Sequence, residues 1–518
     1  MCARILSLPL ELHVLVFLDL EPEDLLYLGW TCCAFREMLS HRGVWEKALR
    51  MVCARDGLFA PSYPFDEMDL SDLKRAALHP FQWNRMMLSM DSGEQGCLTP
   101  HREIPLPRDP RVDPESGFLD ADILPGGRYV VGRSASFITL WDLGPSHNSL
   151  EYPPRILDTI YDAADRYSIS FPTRPTPYGN CFRICAFFSS REMNLSCLRV
   201  YEAGPLPRST SFRLLGQLDT PTIALSWLVG DYVVLETVPS DGNREWGHMV
   251  WDITRNLVTP PFELVGRTFP TLGWAVEGCS LLGLQPKQLD SEEGDFITSL
   301  SAWRIPKLDP MEVKTSLSLW NLSTTERIEP DIQVDFDQGE VAPLRRDFGS
   351  PIPMTFRSPS VGTSIFQFCM HSLDPPHSNV RLCRVAIVNE GTEGNSRERT
   401  VRLLSYDLFR KPYLISRSSC RHYSVTGDYI TSVIETTTPV AVSNTWTKYV
   451  SETNLVHSRI EADKGSPGGS CRLATVPVKH GNRATSLCTS SSRMAHIGKS
   501  NPDNPDVSTV CISYFYAP

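Results

Sequence analysis

Cys369, His371, His377 and Cys383 are side chains of the types that bind zinc. They lack a paired Cys-x-x-Cys knuckle, so they read as ordinary strand and turn residues, and no metal is expected. No phosphate-cradling Gly-rich loop with Lys, no His-Glu-x-x-His pair and no Gly-x-Ser-x-Gly elbow occurs. The strongest local signatures of nucleotide, metal and nucleophile chemistry are therefore missing, and the expectation is a protein without catalytic residues or cofactor. Asp91-Ser92-Gly93 begins like a phosphorylation-dependent degradation signal, but Gly96 stands where a second serine would be needed. Asn194-Leu-Ser196 and Asn321-Leu-Ser323 match the glycosylation acceptor, which has meaning only in a secreted chain.

Composition narrows the classes further. The 518 residues carry 60 acidic and 50 basic side chains, a net charge of -10, without a dense Lys/Arg run. Nucleic acid is excluded as an expected partner, because that affinity comes from neutralised phosphates. With 41% hydrophobic and 21% charged residues the chain can bury a core, and its length suggests two or three folding units. Fifteen cysteines are scattered, two of them adjacent at Cys32 and Cys33, unlike a disulfide framework. A reducing compartment, cytoplasm and/or nucleus, is expected. Pro9, Glu11 and His13 interrupt the apolar start, and the run from Val14 to Leu18 is shorter than the about 7 residues of a signal h-region. No membrane partner is expected.

The elements that would position a function begin at the N-terminus. Leu12, Val16 and Leu20, with Phe17 beside them, form one helical stripe between Leu8 and Leu20. Pro9 fits the first turn, where a missing amide hydrogen costs nothing, and Glu11 complements the helix dipole. A second helix starts at Pro22, with Glu23 and Asp24 in its first turn and Leu25, Leu28 and Trp30 available for burial. Phe35 and Leu39 mark a third segment over Cys32 to Leu39. Val44 and Trp45 open a further run through Leu49 and Val52. Helices this short bury too little surface alone and need a cover, either another protein or the rest of this chain.

The series Leu8-Pro9-Leu10-Glu11-Leu12, Val16-Phe17, Leu20-Glu21-Pro22-Glu23-Asp24-Leu25-Leu26, Cys32, Phe35 and Val44-Trp45 resembles the F-box in order and spacing, over residues 5–49. It departs at Trp30 and Thr31, where smaller aliphatic residues are usual, and at Ala34, in place of a common basic residue. The resemblance implies a three-helix module that docks on the adaptor protein of an SCF-type cullin-RING ubiquitin ligase and, through it, on the cullin. Ubiquitin transfer would then occur on a separate conjugating enzyme, with this chain supplying proximity. It also implies Leu8, Pro9, Leu12, Val16, Leu25, Leu28 and Phe35 as adaptor-contacting, and Phe17, Leu20 and Trp45 as structural.

Prolines at 100, 105, 107, 110 and 114 predict a linker or an extended strap between Leu98 and Pro114. From about Phe118 short Val/Ile/Leu/Phe/Tyr runs bounded by Gly, Pro, Asp and Asn predict strands. Gly127-Arg128-Tyr129, Gly230-Asp231-Tyr232 and Gly427-Asp428-Tyr429 repeat a turn glycine followed by a Tyr-led strand, at separations of about 100 and about 200 residues. Those separations suggest two and four units of about 50 residues. Trp141-Asp142, Trp251-Asp252 and Trp320-Asn321, with Tyr201-Glu202 a looser copy, resemble the strand endings of WD-repeat β-propellers. The Gly-His dipeptide usual upstream in that family is missing. Units of about 50 over residues 118–450 give six or seven blades. Another propeller variant or a pair of β-sandwiches is the other architecture compatible with the pattern.

Gly465-Ser-Pro-Gly-Gly-Ser470, Ser490-Ser-Ser492 and Asn501-Pro-Asp-Asn-Pro505 are compositional marks of disorder, without continuation of the repeat. The expected architecture is α plus all-β in several domains. F-box-like helices span 1–54, a helical segment and Pro-rich linker 55–117, a β-propeller-like recognition domain 118–450 and a disordered tail 451–518. The combination resembles F-box proteins of fungal type. It implies a substrate receptor that holds an unidentified target protein on its β domain. An F-box scaffold acting outside ubiquitination is the alternative, and an unrecognised hydrolase in the β domain a third reading.

Overall fold

A computed structural model describes residues 8–90 and 98–515 apart from connecting stretches, the longest being 311–325, 336–354, 408–417 and 460–472. Within 355–478 the description is of the backbone, with the side chains of Thr431 and Leu455 added.

Among the described residues five α-helices come first: α1 (Leu10–Leu18), α2 (Pro22–Thr31), α3 (Cys33–Met38), α4 (Arg42–Asp56) and α5 (Leu70–Met90). Pro9 is the residue before α1, not a member of its first turn, whereas Pro22 is the first residue of α2. Gly57, in the left-handed region at φ 64, stops α4 as only an unsubstituted residue does cheaply. Asp69 and Asp72 cap α5 reciprocally: the Asp69 carboxylate accepts from the Asp72 amide at 2.8 Å, and the Asp72 carboxylate from the Asp69 amide at 3.3 Å.

Phe17, Leu25, Phe35, Leu39, Trp45 and Leu49 bury one core, closed by Tyr63, Phe65, Met68, Leu73 and Ala77 from the following segment and α5. The cover that the first helices require on this side thus comes from their own chain. A boundary at residue 54 falls inside α4, and Tyr63, Phe65, Met68, Leu73 and Leu78 beyond it belong to the same core.

Among the described residues seven sheets, antiparallel but for one parallel pairing in the third, follow each other along the chain, over residues 118–161, 167–220, 225–264, 273–335, 355–407, 418–478 and 483–514. The third also recruits the short strands Asp309–Pro310 and Glu326–Ile328. Arg102–Pro105 pairs with Asn504–Tyr514 and becomes the outermost strand of the last sheet, in the register Glu103 opposite Ser513. The prolines of this region do not make a linker. Pro105 lies in an edge strand, where its missing N–H is tolerated, and the Pro107 carbonyl accepts from the buried Trp141 indole at 2.8 Å.

Nor is the C-terminus a low-order tail. Arg483–Cys488, Arg493–Asn501 and Asn504–Tyr514 build the seventh sheet, and Leu487, Met494, Val510 and Ile512 are fully buried. The serines at 490–492 form a buried turn, and Asn501 pairs with Asn504 at a hairpin end, so the polar composition marks tight turns. The Gly465–Ser470 stretch lies outside the described residues.

The repeats read from the sequence fall at equivalent places. Tyr129, Tyr232 and Tyr429 each open the second strand of a sheet, the first, third and sixth. The longer separation thus spans three sheets and not four units, because strands of the fifth sheet run to 12 residues, as in Asn379–Glu390, and the stretches 311–325, 336–354 and 408–417 fall within it. Trp141, Tyr201 and Trp251 are buried near the ends of third strands. Trp320 lies outside the described residues, and in the fourth sheet the corresponding place is taken by the buried Trp303.

Helix α5 fastens the helices to the last sheets. Trp83 and Met87 pack with Leu455, Leu487, Met494 and Phe515, and the Trp83 indole donates to Thr431 Oγ1 at 3.3 Å. His79 Nε2 is 2.9 Å from Ser492 Oγ. Burial, with Arg493 and Arg75 nearby, holds the His79 imidazole down at about 4. Protons then bind the unfolded chain first, so this contribution is complete above about pH 6.5 and is lost as pH falls toward 4. His79→Gln should remove about 2–3 kcal/mol of the stability difference between pH 7 and pH 4.5, measured as urea midpoints at both pH values.

Candidate functional site

Helix α1 is apolar on two sides. His13 and Phe17, four apart, face inward against Phe35, with ring centroids about 6 Å apart. On the other side Leu12, Leu15 and Val16 are 44%, 59% and 50% exposed, and Leu8, ahead of the helix, is 38% exposed. Leu8, Leu12, Leu15 and Val16 follow the i, i+4, i+7, i+8 spacing of one helical stripe. A helix apolar all round is stable when covered on both sides. The described residues cover one.

The residues predicted to contact an adaptor divide accordingly. Leu8, Pro9, Leu12 and Val16 are exposed, and Leu28 is half-buried against the core. Leu25 and Phe35 are not available to a partner: both are buried in the helical core, Phe35 against the rings of His13 and Phe17. Phe17 and Trp45 are core residues, the Trp45 indole donating to the Leu39 carbonyl at 2.8 Å, and Leu20 packs partly buried beside them. Sequence reading missed Leu15, which lies one turn beyond Leu12, and counted Leu20 on the same stripe as Leu12 and Val16.

A second exposed apolar pair stands on α2. Tyr27 and Trp30, the latter 68% exposed, meet edge to face with centroids 5.5 Å apart. The Tyr27 hydroxyl donates to Glu23 at 2.6 Å, and that bond to a carboxylate raises its pKa, keeping it a phenol and a hydrogen-bond donor. Trp30 is one of the departures from the F-box pattern, and it faces solvent. The chemistry offered by these helices is apolar burial rimmed by polar groups, suited to binding a protein.

Buried ion pairs order the β region, and sequence reading missed them. Arg128, just before the second strand of the first sheet, makes a bidentate pair with Asp142 at 2.9 and 3.0 Å. Burial alone would raise the Asp142 carboxyl; the hydrogen bonds and charge of Arg128 bring it below its ordinary value. In the second sheet Arg183 donates to Glu202 at 3.0 Å and crosses to the next sheet, reaching the Gly230 carbonyl at 2.9 Å and Asp231 at 2.6 Å. The acids after Trp141 and Tyr201 therefore anchor second-strand arginines. The signal was present as Gly-Arg-Tyr beside Trp-Asp, but the pairing needs the fold to bring the two ends together.

No family model matches this sequence, and no curated protein matches it. Among solved structures it is similar to a chain of a humanized mutant of the Chaetomium thermophilum Polycomb Repressive Complex 2 bound to the inhibitor GSK343, with 9% identity and a TM-score of 0.40 over 82% of this chain and 98% of that one. The WD40 domain of SCAP from fission yeast matches with 10% identity and a TM-score of 0.32, over 77% of this chain and 82% of that one.

The division between outer and inner apolar residues has a direct check. Leu12→Glu and Val16→Glu should change stability by no more than about 0.5 kcal/mol, as surface substitutions do. Leu25→Ala and Phe35→Ala should each cost about 2–5 kcal/mol, in urea unfolding followed by circular dichroism.

Proposed function

We propose that this chain is the substrate-recognition subunit of an SCF-type cullin-RING ubiquitin ligase, built as F-box-like helices fused to a seven-bladed, WD-type propeller. The observation that carries the reading is the uncovered stripe of α1, where Leu8, Leu12 and Val16 of the F-box-like pattern stand exposed with Leu15. Apolar surface gains about 25 cal/mol per Å² on leaving water, so such a stripe favours a partner groove. The β region supports a binding role by its form: successive sheets present many connecting loops on a rigid frame, the usual place for recognition residues. The packing of α5 on the last sheets holds both surfaces in one body, which raises the effective concentration of a bound target near an enzyme docked at the helices.

Tagged full-length chain purified from cells should bring down the adaptor and cullin. Leu12→Glu/Val16→Glu, and the milder Leu8→Ala/Pro9→Ala, should reduce adaptor recovery by roughly thirtyfold or more while leaving the melting temperature unchanged. Adaptor recovery at wild-type level from the charged double variant would overturn the docking surface. If adaptor is recovered and no associated protein accumulates when cullin activation is inhibited, the chain acts as a scaffold outside ubiquitination.

A further inference from the structure

The closing sheet brings together three metal-ligand types that lie far apart in sequence. His496 and Cys511 are directly opposite on neighbouring strands, and Glu103 is opposite Ser513, two residues beyond Cys511 on the same face. The ligand atoms of Glu103, His496 and Cys511 all lie within 4.8 Å of one another. His496 Nε2 is 3.2 Å from Glu103 Oε1, while Nδ1 is 3.4 Å from Ser513 Oγ. The imidazole is thus held by its second nitrogen in the way that metal-bound histidines are oriented. The His496 side chain is fully buried and Cys511 is buried, whereas Glu103 is 40% exposed, which leaves a route from solvent.

We propose that Glu103, His496 and Cys511 form a zinc site that staples the first strand of the β region to its last hairpin. A thiolate and an imidazole select zinc over magnesium or calcium, and a carboxylate completes a three-ligand set with solvent in the fourth position. Zinc bonds of about 2.0–2.3 Å put tetrahedral ligand atoms about 3.3–3.8 Å apart, a closing of about 1 Å from the present limit. On binding, the Cys511 thiol loses its proton to solvent and the ion takes the place between His496 and Glu103. The staple would close a loop of about 400 residues, where a cross-link restrains the unfolded chain strongly.

Full-length protein stripped with chelator and titrated with Co²⁺ should develop a thiolate-to-cobalt charge-transfer band, displaced by one equivalent of Zn²⁺, and Zn²⁺ should raise its melting temperature. Cys511→Ala should abolish the band and the Zn²⁺-dependent shift. Glu103→Gln, at an exposed position, should weaken cobalt binding at least about tenfold without changing the metal-free melting temperature, and Ser513→Ala should weaken it about tenfold with the band retained. Absence of band and melting shift in the wild type would overturn the site, as would a band that survives in Cys511→Ala or titrates unchanged in Glu103→Gln.

Discussion

Arg493 is a buried cation whose partners are carbonyls: it donates to Gly127 at 2.6 Å, Gly144 at 3.3 Å and Pro145 at 3.5 Å, and lies over the Tyr514 ring. It starts the second strand of the last sheet and reaches the turn of the first, so one guanidinium ties the two ends of the β region beside the pairing of 102–105 with the last strand. Burial lowers its pKa, and the surrounding oxygens must compensate the lost water. The turn it grips has no room for side chains. A Cβ on Gly127 would lie 1.9 Å from Ser491 Oγ, and one on Gly126 would lie 2.6 Å from Ser62 Cβ, both at positive φ. Helical segment, first sheet and last sheet therefore meet within two glycines.

This junction decides what the protein can do with its surfaces. Arg183 repeats the same crossing between the second and third sheets, and the Trp274 indole crosses from the fourth to Glu236 in the third at 2.6 Å. Phe59 packs against Tyr129 and Phe182, and its amide donates to the Pro125 carbonyl at 3.0 Å, so the end of the helical segment is seated on the first two sheets. With α5 on the last sheets, the helices are held at two places. An apolar stripe on α1 and a target on the β region would then keep a set separation, which proximity-driven chemistry requires.

Much of this was legible in the residues. Pro22 with Glu23 and Asp24 marked the start of α2, and Phe17 and Trp45 were recognisable as core. The described members of the Gly-x-Tyr and Trp-Asp series, Tyr129, Tyr232, Tyr429, Trp141 and Trp251, fell on second and third strands, because turn glycines and bulky buried aromatics are local requirements of those positions. What escaped were consequences of long-range closure. Residues 102–105 look like a proline-rich linker, yet Leu106 donates to the Val510 carbonyl at 2.8 Å and completes the seam. Ser490–Ser492 looks like disorder, yet the turn is buried by α5. The F-box resemblance implied Leu25 and Phe35 as adaptor contacts, and only the packed helices show that the chain buries both itself. The Glu103–His496–Cys511 cluster has no sequence spacing to detect, since strand pairing alone assembles it.

The seam that closes the β region is a paired strand, and hydrogen exchange by mass spectrometry on the full-length chain reads that pairing. The amides of Arg102, Ile104 and Leu106 should be protected together with those of 510–514, and Arg493→Met should speed exchange at both while the third sheet, 225–264, keeps its protection. Exchange at 102–106 at the rate of an unstructured linker, with 510–514 still protected, would contradict it.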